Sequence, residues 1–394
     1  MKFRLSLLAL LLCVTGYSQS YTLMFQVEGK QIPCRIDRVS KSNWTLVNGE
    51  EKINLEMKWK EDSSFTASLP LFNTYFEGKS EGGKLSGNWV DPTRSGDYRI
   101  PFQILPTGYF ENDATTHTPI KLRYKVVFDD DSIPAILEMN YMNGTNVDLF
   151  GTVLTETGDY RYLQGFMMME NLFYLSAFDG THLFYLEGQL VNQNIENGAF
   201  YSGRHYHVGF KGTVDSSYEL RKADALTWMK NPNESLSLKV KSNVTTERTF
   251  GEKDWKGKVT LVQIMGTWCP NCTDESRFVS TLYQEFQKEG LQVVPVSFER
   301  GTDYSAAFTR INNQSKQMNL PYPVYLGYGS DSPQKSAALT FSQLNHVMSF
   351  PTLILINKEG KVEKVWTGFY GPGTGKHYTE HTEEIRKAVK RSLR

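Results

Sequence analysis

The run Gly266-Thr267-Trp268-Cys269-Pro270-Asn271-Cys272 constrains this chain more than any other feature. It sets two thiols three positions apart, at the seam between two different periodicities. Before it, Val259–Met265 (VTLVQIM) is a continuous apolar run rich in β-branched residues, the signature of a buried strand. After it, from Thr273 onward, Phe278, Val279, Leu282, Tyr283 and Phe286 recur at helical spacing, and Gly290 supplies a stop. A cysteine at a helix N-terminus faces unpaired backbone N–H groups and the positive end of the helix dipole, which favour thiolate over thiol. A second cysteine one turn later can close a disulfide with the first, so the pair can store and release two electrons. A structural disulfide and half of a zinc site are the competing readings. The chain has no second CxxC to complete a four-thiolate zinc site.

The region downstream reads as an α/β layout. Residues 291–298 (LQVVPVSF) form a second buried strand pattern, followed by a helical stretch over Tyr304–Met318 and by Pro323-Val324-Tyr325-Leu326. Ser349-Phe350-Pro351-Thr352 then leads into the apolar run Leu353-Ile354-Leu355-Ile356, a turn at Asn357-Lys358-Glu359-Gly360, and residues 361–366, as a hairpin would. The chain closes on a helical stripe of Ile385, Ala388, Val389 and Leu393. Alternating strands and helices followed by a hairpin and a helix make an α/β region.

The combination of Trp268-Cys269-Pro270-Asn271-Cys272, Phe350-Pro351-Thr352 and the hairpin at 356–362 resembles the thioredoxin superfamily. The insertion between the second strand and Pro351 is similar to the TlpA/ResA-like branch of periplasmic thiol–disulfide oxidoreductases. The resemblance covers residues 235–394, less than half of the chain. It implies that Cys269 is the exposed attacking thiolate and Cys272 the buried resolving thiol. It also implies that Pro351 is cis beside the thiols, with the backbone at Phe350 and Pro351 pairing with the substrate chain. Trp268 would be a flat wall of the site. No cofactor is expected beyond the redox-active disulfide of Cys269 and Cys272. Pro270 and Asn271 bear on redox poise: with no His between the cysteines, a potential nearer thioredoxin, about −270 mV, than DsbA, about −120 mV, is expected.

Two positions depart from the pattern. Gln263 stands where thioredoxins carry a buried Asp six residues before the first Cys, and an amide cannot ionise. Glu275, one turn beyond Cys272, is the nearest alternative carboxylate; an acid there could equally serve the helix dipole. Arg277 replaces a helix-kinking Pro of many relatives, so a straighter active-site helix is expected.

The N-terminus reads as a signal peptide over 1–18: a basic Met1-Lys2-Phe3-Arg4, an apolar run from Leu5 to Val14, and small residues at Gly16 and Ser18. That run is too short to span a membrane, and nothing later reaches the ~20 apolar residues required. Cys13 raises a lipoprotein reading, which Leu12 disfavours. Export to the periplasm or cell envelope is the expectation. The mature chain then keeps only Cys34, Cys269 and Cys272, too few for a disulfide scaffold. Cys34 reads as a small buried apolar residue.

Lys and Arg together number 43, as do Asp and Glu, so no basic excess points to nucleic acid. Most of the aromatic residues precede position 215, in short alternating runs at 21–27, 53–59, 98–105, 121–128 and 205–210 broken by Gly, Asn and Asp. Residues 19–225 therefore read as a β-rich sandwich or barrel region, 226–234 as a linker, and 235–394 as the thioredoxin-like domain. A weak internal echo links Tyr75-Phe76-Glu77-Gly78, Leu85 to Trp89 and Tyr98 to Phe102 with Tyr185-Leu186-Glu187-Gly188, Asn197 to Phe200 and His205 to Phe210. It suggests two related β units or one larger barrel. His205 and His207 fall on one side of a strand but lack a third ligand, so no metal is expected; Met167-Met168-Met169 reads as packing.

The leading function is an exported thiol–disulfide oxidoreductase, a reductase of client protein disulfides supplied by an electron donor not encoded here. One alternative is a peroxidase of the redoxin group, which would need Thr or Ser where Gly266 stands. Another is a binding or assembly protein with an accessory redox domain.

Overall fold

The computed structural model describes residues 19–106, 120–130, 133–141, 147–168, 171–328 and 332–394. The leader at 1–18, with Cys13, and Met169 of the methionine run lie outside the described residues.

Eight antiparallel strands from Gln19–Val27 to Arg99–Leu105 close into a barrel, because the first pairs with both the second and the eighth. Alternation fills it: Leu23, Phe25 and Val27 point inward, as do Phe65, Ala67 and Leu69. Phe178, from the next sheet, completes this core with its ring 5.0 Å from Phe25 and 5.1 Å from Trp89. Cys34 is buried in the same cluster.

A second sheet runs from Ile120–Phe128 to Tyr206–Val214 and also closes, through the pairing of Ala135–Tyr141 with Val147–Thr155. Apart from the short strand Gly158–Asp159, its strands follow one another around the ring as in the first barrel. The sequence echo falls on the last three strands of each ring: Thr74–Glu81, Lys84–Val90 and Arg99–Leu105 against Leu183–Val191, Asn194–Ser202 and Tyr206–Val214. The cross-strand pairs repeat as well. Phe65 faces Gly78 and Gly87 faces Phe102 in one ring; Phe173 faces Gly188 and Gly198 faces Phe210 in the other. A Cβ on Gly78 or Gly188 would come within 2.8 Å of the facing ring, so the large side chain fills space that only glycine leaves. Closing each sheet removes the open edges that aggregate. Local alternation identifies the strands but not which strands close on which, so the two rings emerge only from the pairings.

The third sheet has seven strands in the order Glu247–Phe250, Leu238–Lys241, Tyr325–Leu326, Leu291–Ser297, Val259–Met265, Thr352–Ile356 and Val362–Thr367. Its centre is parallel and its Thr352–Thr367 hairpin antiparallel. Val259–Met265 is buried along its whole length because both faces are covered. Leu261 packs under the helices Pro270–Phe286 and Lys376–Leu393, while Val262 and Ile264 face the helix Pro333–Thr340. The strand Leu238–Lys241 is not at the sheet edge, because Glu247–Phe250, too polar to read as a strand from sequence, pairs outside it. Within 226–234, Leu226, Thr227 and Met229 are buried, and the Thr227 and Thr367 hydroxyls lie 2.7 Å apart. Among the described residues no helix is long and apolar enough to cross a membrane.

Candidate active site

Cys269 is the N-cap of the helix Pro270–Phe286, and its sulfur accepts the Cys272 backbone N–H at 3.1 Å. Pro270 occupies the first helical turn, where a missing N–H costs nothing. Cys269 and Cys272 are joined in a disulfide with Cα atoms 5.2 Å apart. Cys272 is fully buried as expected, but Cys269, expected to be exposed, is buried too, at 5% exposure, because the side chains around the pair cover it. Met265, Trp268, Val324 and Phe350 surround the pair. The Phe350–Pro351 bond is cis, and the Phe350 carbonyl oxygen lies 3.5 Å from Cys269 Sγ. Trp268 donates its indole N–H to the Phe298 carbonyl at 2.9 Å, with its ring centroid 5.3 Å from that of Phe350.

Gln263 and Glu275 meet beneath the disulfide. Gln263 Nε2 donates to Glu275 Oε2 at 2.9 Å and to the Cys272 carbonyl at 3.4 Å, and Ser276 Oγ donates to Gln263 Oε1 at 2.9 Å. Glu275 is completely buried and its Oε1 has no hydrogen-bond partner. Burial pushes its carboxyl up to about 8, against the opposing pull of the Gln263 hydrogen bond. An acid serving only the dipole would sit at the surface, so this one has a different setting. The helix runs unbroken through Arg277, which is exposed and pairs with Asp274 at 3.0 Å.

The residues that sequence reasoning missed come from the barrels. Asn271 Nδ2 donates to the Asp159 carbonyl at 3.1 Å, and the buried Asp159 carboxylate accepts the N–H groups of Gly371 and Arg161. The buried Arg161 guanidinium pairs with Asp274 of the active-site helix and with Glu51 of the first barrel. On the other flank of the motif, Arg300 lies over Trp268 at 4.9 Å and donates to Thr93 Oγ1 of the first barrel at 3.2 Å. Glu299 accepts from Thr267 N, Thr267 Oγ1 and Arg310, fixing the turn before Trp268. No local pattern marks these partners, which lie up to 212 residues apart in sequence.

Gly266, at the position where a peroxidase would carry Thr or Ser, has no room for a side chain: a Cβ there would come within 2.4 Å of the Trp268 ring. His205 and His207 have separate partners, Tyr98 with Arg94 for the first and Glu28 for the second. Among the described residues no group of three His, Cys, Asp or Glu could hold a metal.

Residues 233–365 match the AhpC/TSA family. The ResA thiol-disulfide oxidoreductase of Bacillus subtilis is 32% identical over 130 residues, which is 32% of this chain and 64% of that protein. The C-terminal part resembles ResA. The ResA of Bacillus thuringiensis subsp. konkukian is 29% identical over 110 residues, 28% of this chain and 55% of its own. The chain thus spans less than two thirds of the length of these curated relatives. A thioredoxin-family thiol:disulfide interchange protein from Chlorobium tepidum TLS aligns with 42% of this chain and 98% of its own, at 19% identity and a TM-score of 0.31. The residues matched to the AhpC/TSA family carry both cysteines, Gln263, Glu275 and Pro351, whereas Asp159, Arg161 and Glu51 lie outside them.

Proposed function

We propose that the protein is an exported thiol–disulfide oxidoreductase that reduces disulfides of client proteins through Cys269 and Cys272. The observation that carries this reading is the pair itself: one sulfur at a helix N-terminus, 5% exposed, the other fully buried and tied through its carbonyl and Gln263 to a carboxyl raised to about 8. In the reduced enzyme the Cys269 thiolate, favoured by the helix end, attacks one sulfur of the client disulfide and expels the other as a thiolate. Cys272 then loses its proton and attacks Cys269 Sγ. The mixed disulfide breaks, the client leaves with two thiols, and the enzyme holds the Cys269–Cys272 disulfide. In this reading Glu275, linked to the Cys272 carbonyl through Gln263, takes and returns the Cys272 proton, because a carboxyl titrating at about 8 is close to an ordinary thiol. Gln263 cannot carry a proton; it fixes Glu275 and the Cys272 carbonyl in one hydrogen-bonded set. An external donor must re-reduce the pair, and the dithiol is itself the redox group. Export rests on the leader pattern at 1–18.

The test is the reduction potential of the Cys269/Cys272 couple in dithiothreitol and glutathione buffers. We expect a value near thioredoxin's, about −270 mV, and a Cys272→Ser variant that accumulates mixed disulfides through Cys269. A value near −120 mV would reverse the direction of flow. A pair that resists reduction in the native protein would make the disulfide structural and end the reading.

A further inference from the structure

The second barrel sends a hairpin onto the rim of the disulfide. Its tip, Thr157-Gly158-Asp159, touches the three loops that frame Cys269. The Thr157 carbonyl accepts the Ser349 hydroxyl at 2.7 Å, next to Phe350 and Pro351. Asp159 holds Asn271, the residue just before Cys272, and the Gly371 N–H. The Tyr370 hydroxyl reaches the Thr155 carbonyl at 3.2 Å. Gly158 has a φ of 133°, and a Cβ there would lie 2.6 Å from Asn271 Nδ2, so the tip approaches as closely as glycine permits. At the other end of the motif the first barrel holds Arg300 over Trp268 through Thr93 and Asp91. Each barrel thus fixes a residue adjoining a cysteine, and Cys269 is left 5% exposed.

We infer that the barrels form a substrate filter, admitting disulfides carried on an extended client segment and excluding those set flush in a folded surface. This deepens the proposed reductase function and rests on it. Cys269 Sγ must reach a client sulfur in line with the client's own S–S bond, and a slender chain can enter between walls that a globular surface meets first.

The test uses the full chain. After reduction, Cys269 is alkylated with iodoacetamide and, separately, with a long polyethylene-glycol maleimide. The rates are then compared with those of Gly158→Val, which drives the tip off Asn271. Turnover is measured on a linear peptide disulfide and on a folded protein with a surface-flush disulfide. We expect wild type to favour the peptide by about tenfold or more in kcat/KM. In Gly158→Val the bulky reagent and the folded protein should both gain at least several-fold relative to iodoacetamide and the peptide. Equal wild-type rates on the two disulfides, or no relative gain in Gly158→Val, would overturn the filter and leave the reductase standing. Absence of exchange with either disulfide, despite normal alkylation of Cys269, would overturn the reductase reading and the filter with it. Should Gly158→Val fail to fold, Tyr370→Phe, which removes only the hydroxyl bond to Thr155, serves in its place.

Discussion

Replacing Arg161 with alanine should lower the stability of the assembled chain by about 3–5 kcal/mol, the usual cost of stripping a partner from a buried ion pair. The guanidinium is buried between two barrels and a helix, and burial works against its charge. The carboxylates of Asp274, Glu51, Asp179 and Asp159 outweigh that and raise its pKa well above the ordinary value. Removing it leaves buried acids with no cation between them. The pH dependence follows from their direction. Burial already raises Asp159 to about 6 and raises Glu51, and in each case Arg161 is the opposing influence. Without Arg161 both rise further above their unfolded values, so the folded state holds extra protons and stability falls as pH rises. The deficit should be smallest in acid and grow as pH rises through about 6, where Asp159 titrates in wild type, and beyond, read as the shift in urea midpoint between wild type and Arg161→Ala at each pH. A deficit under about 1 kcal/mol, or one independent of pH, would show that the network does not clamp the three units. Arg161→Lys should recover only part of the loss, because one ammonium cannot bridge two carboxylates as a guanidinium does.

Glu275→Gln should slow the resolving step by about 100-fold, the lower range for a lost general base, while leaving attack by Cys269 nearly unchanged. The variant would therefore accumulate the mixed disulfide, visible by mass spectrometry after quenching. Its stability should move in the opposite direction. A carboxyl titrating at about 8 when folded and about 4.3 when unfolded makes wild type lose stability progressively as pH rises through that window. The full loss, present above pH 8, is on the order of 5 kcal/mol. The neutral amide is free of it, so Glu275→Gln should match wild type near pH 4 and exceed it increasingly toward pH 9. Its carbonyl can still accept from Gln263. A variant that resolves mixed disulfides at the wild-type rate would remove Glu275 from the mechanism; unchanged stability across the pH range would show that the carboxyl is solvated.

The sequence alone located the pair of thiols in this protein and the α/β fold that carries it. Two thiols at a strand–helix seam, the Phe350-Pro351-Thr352 run and the apolar periodicities are local signals, and each acts within one element or its neighbour. Alternation likewise exposed the β-rich first half and even a trace of its repeat, because Gly78 and Gly188 sit in matching Tyr-x-Glu-Gly runs. Only the tertiary structure decided that this half forms two closed rings, since closure pairs strands such as Gln19–Val27 and Arg99–Leu105 that are far apart in the chain. It also decided the surroundings of the dithiol. Glu275 reads as a surface acid near a helix start until that helix packs against the strand carrying Gln263, and burial there pushes its carboxyl up to about 8. Arg161 and Asp159 look like ordinary loop charges until the fold sets them against Asp274 and Asn271. Charge acts through space and burial, and neither is written in sequence spacing; that is why the cysteines could be read directly and their environment could not.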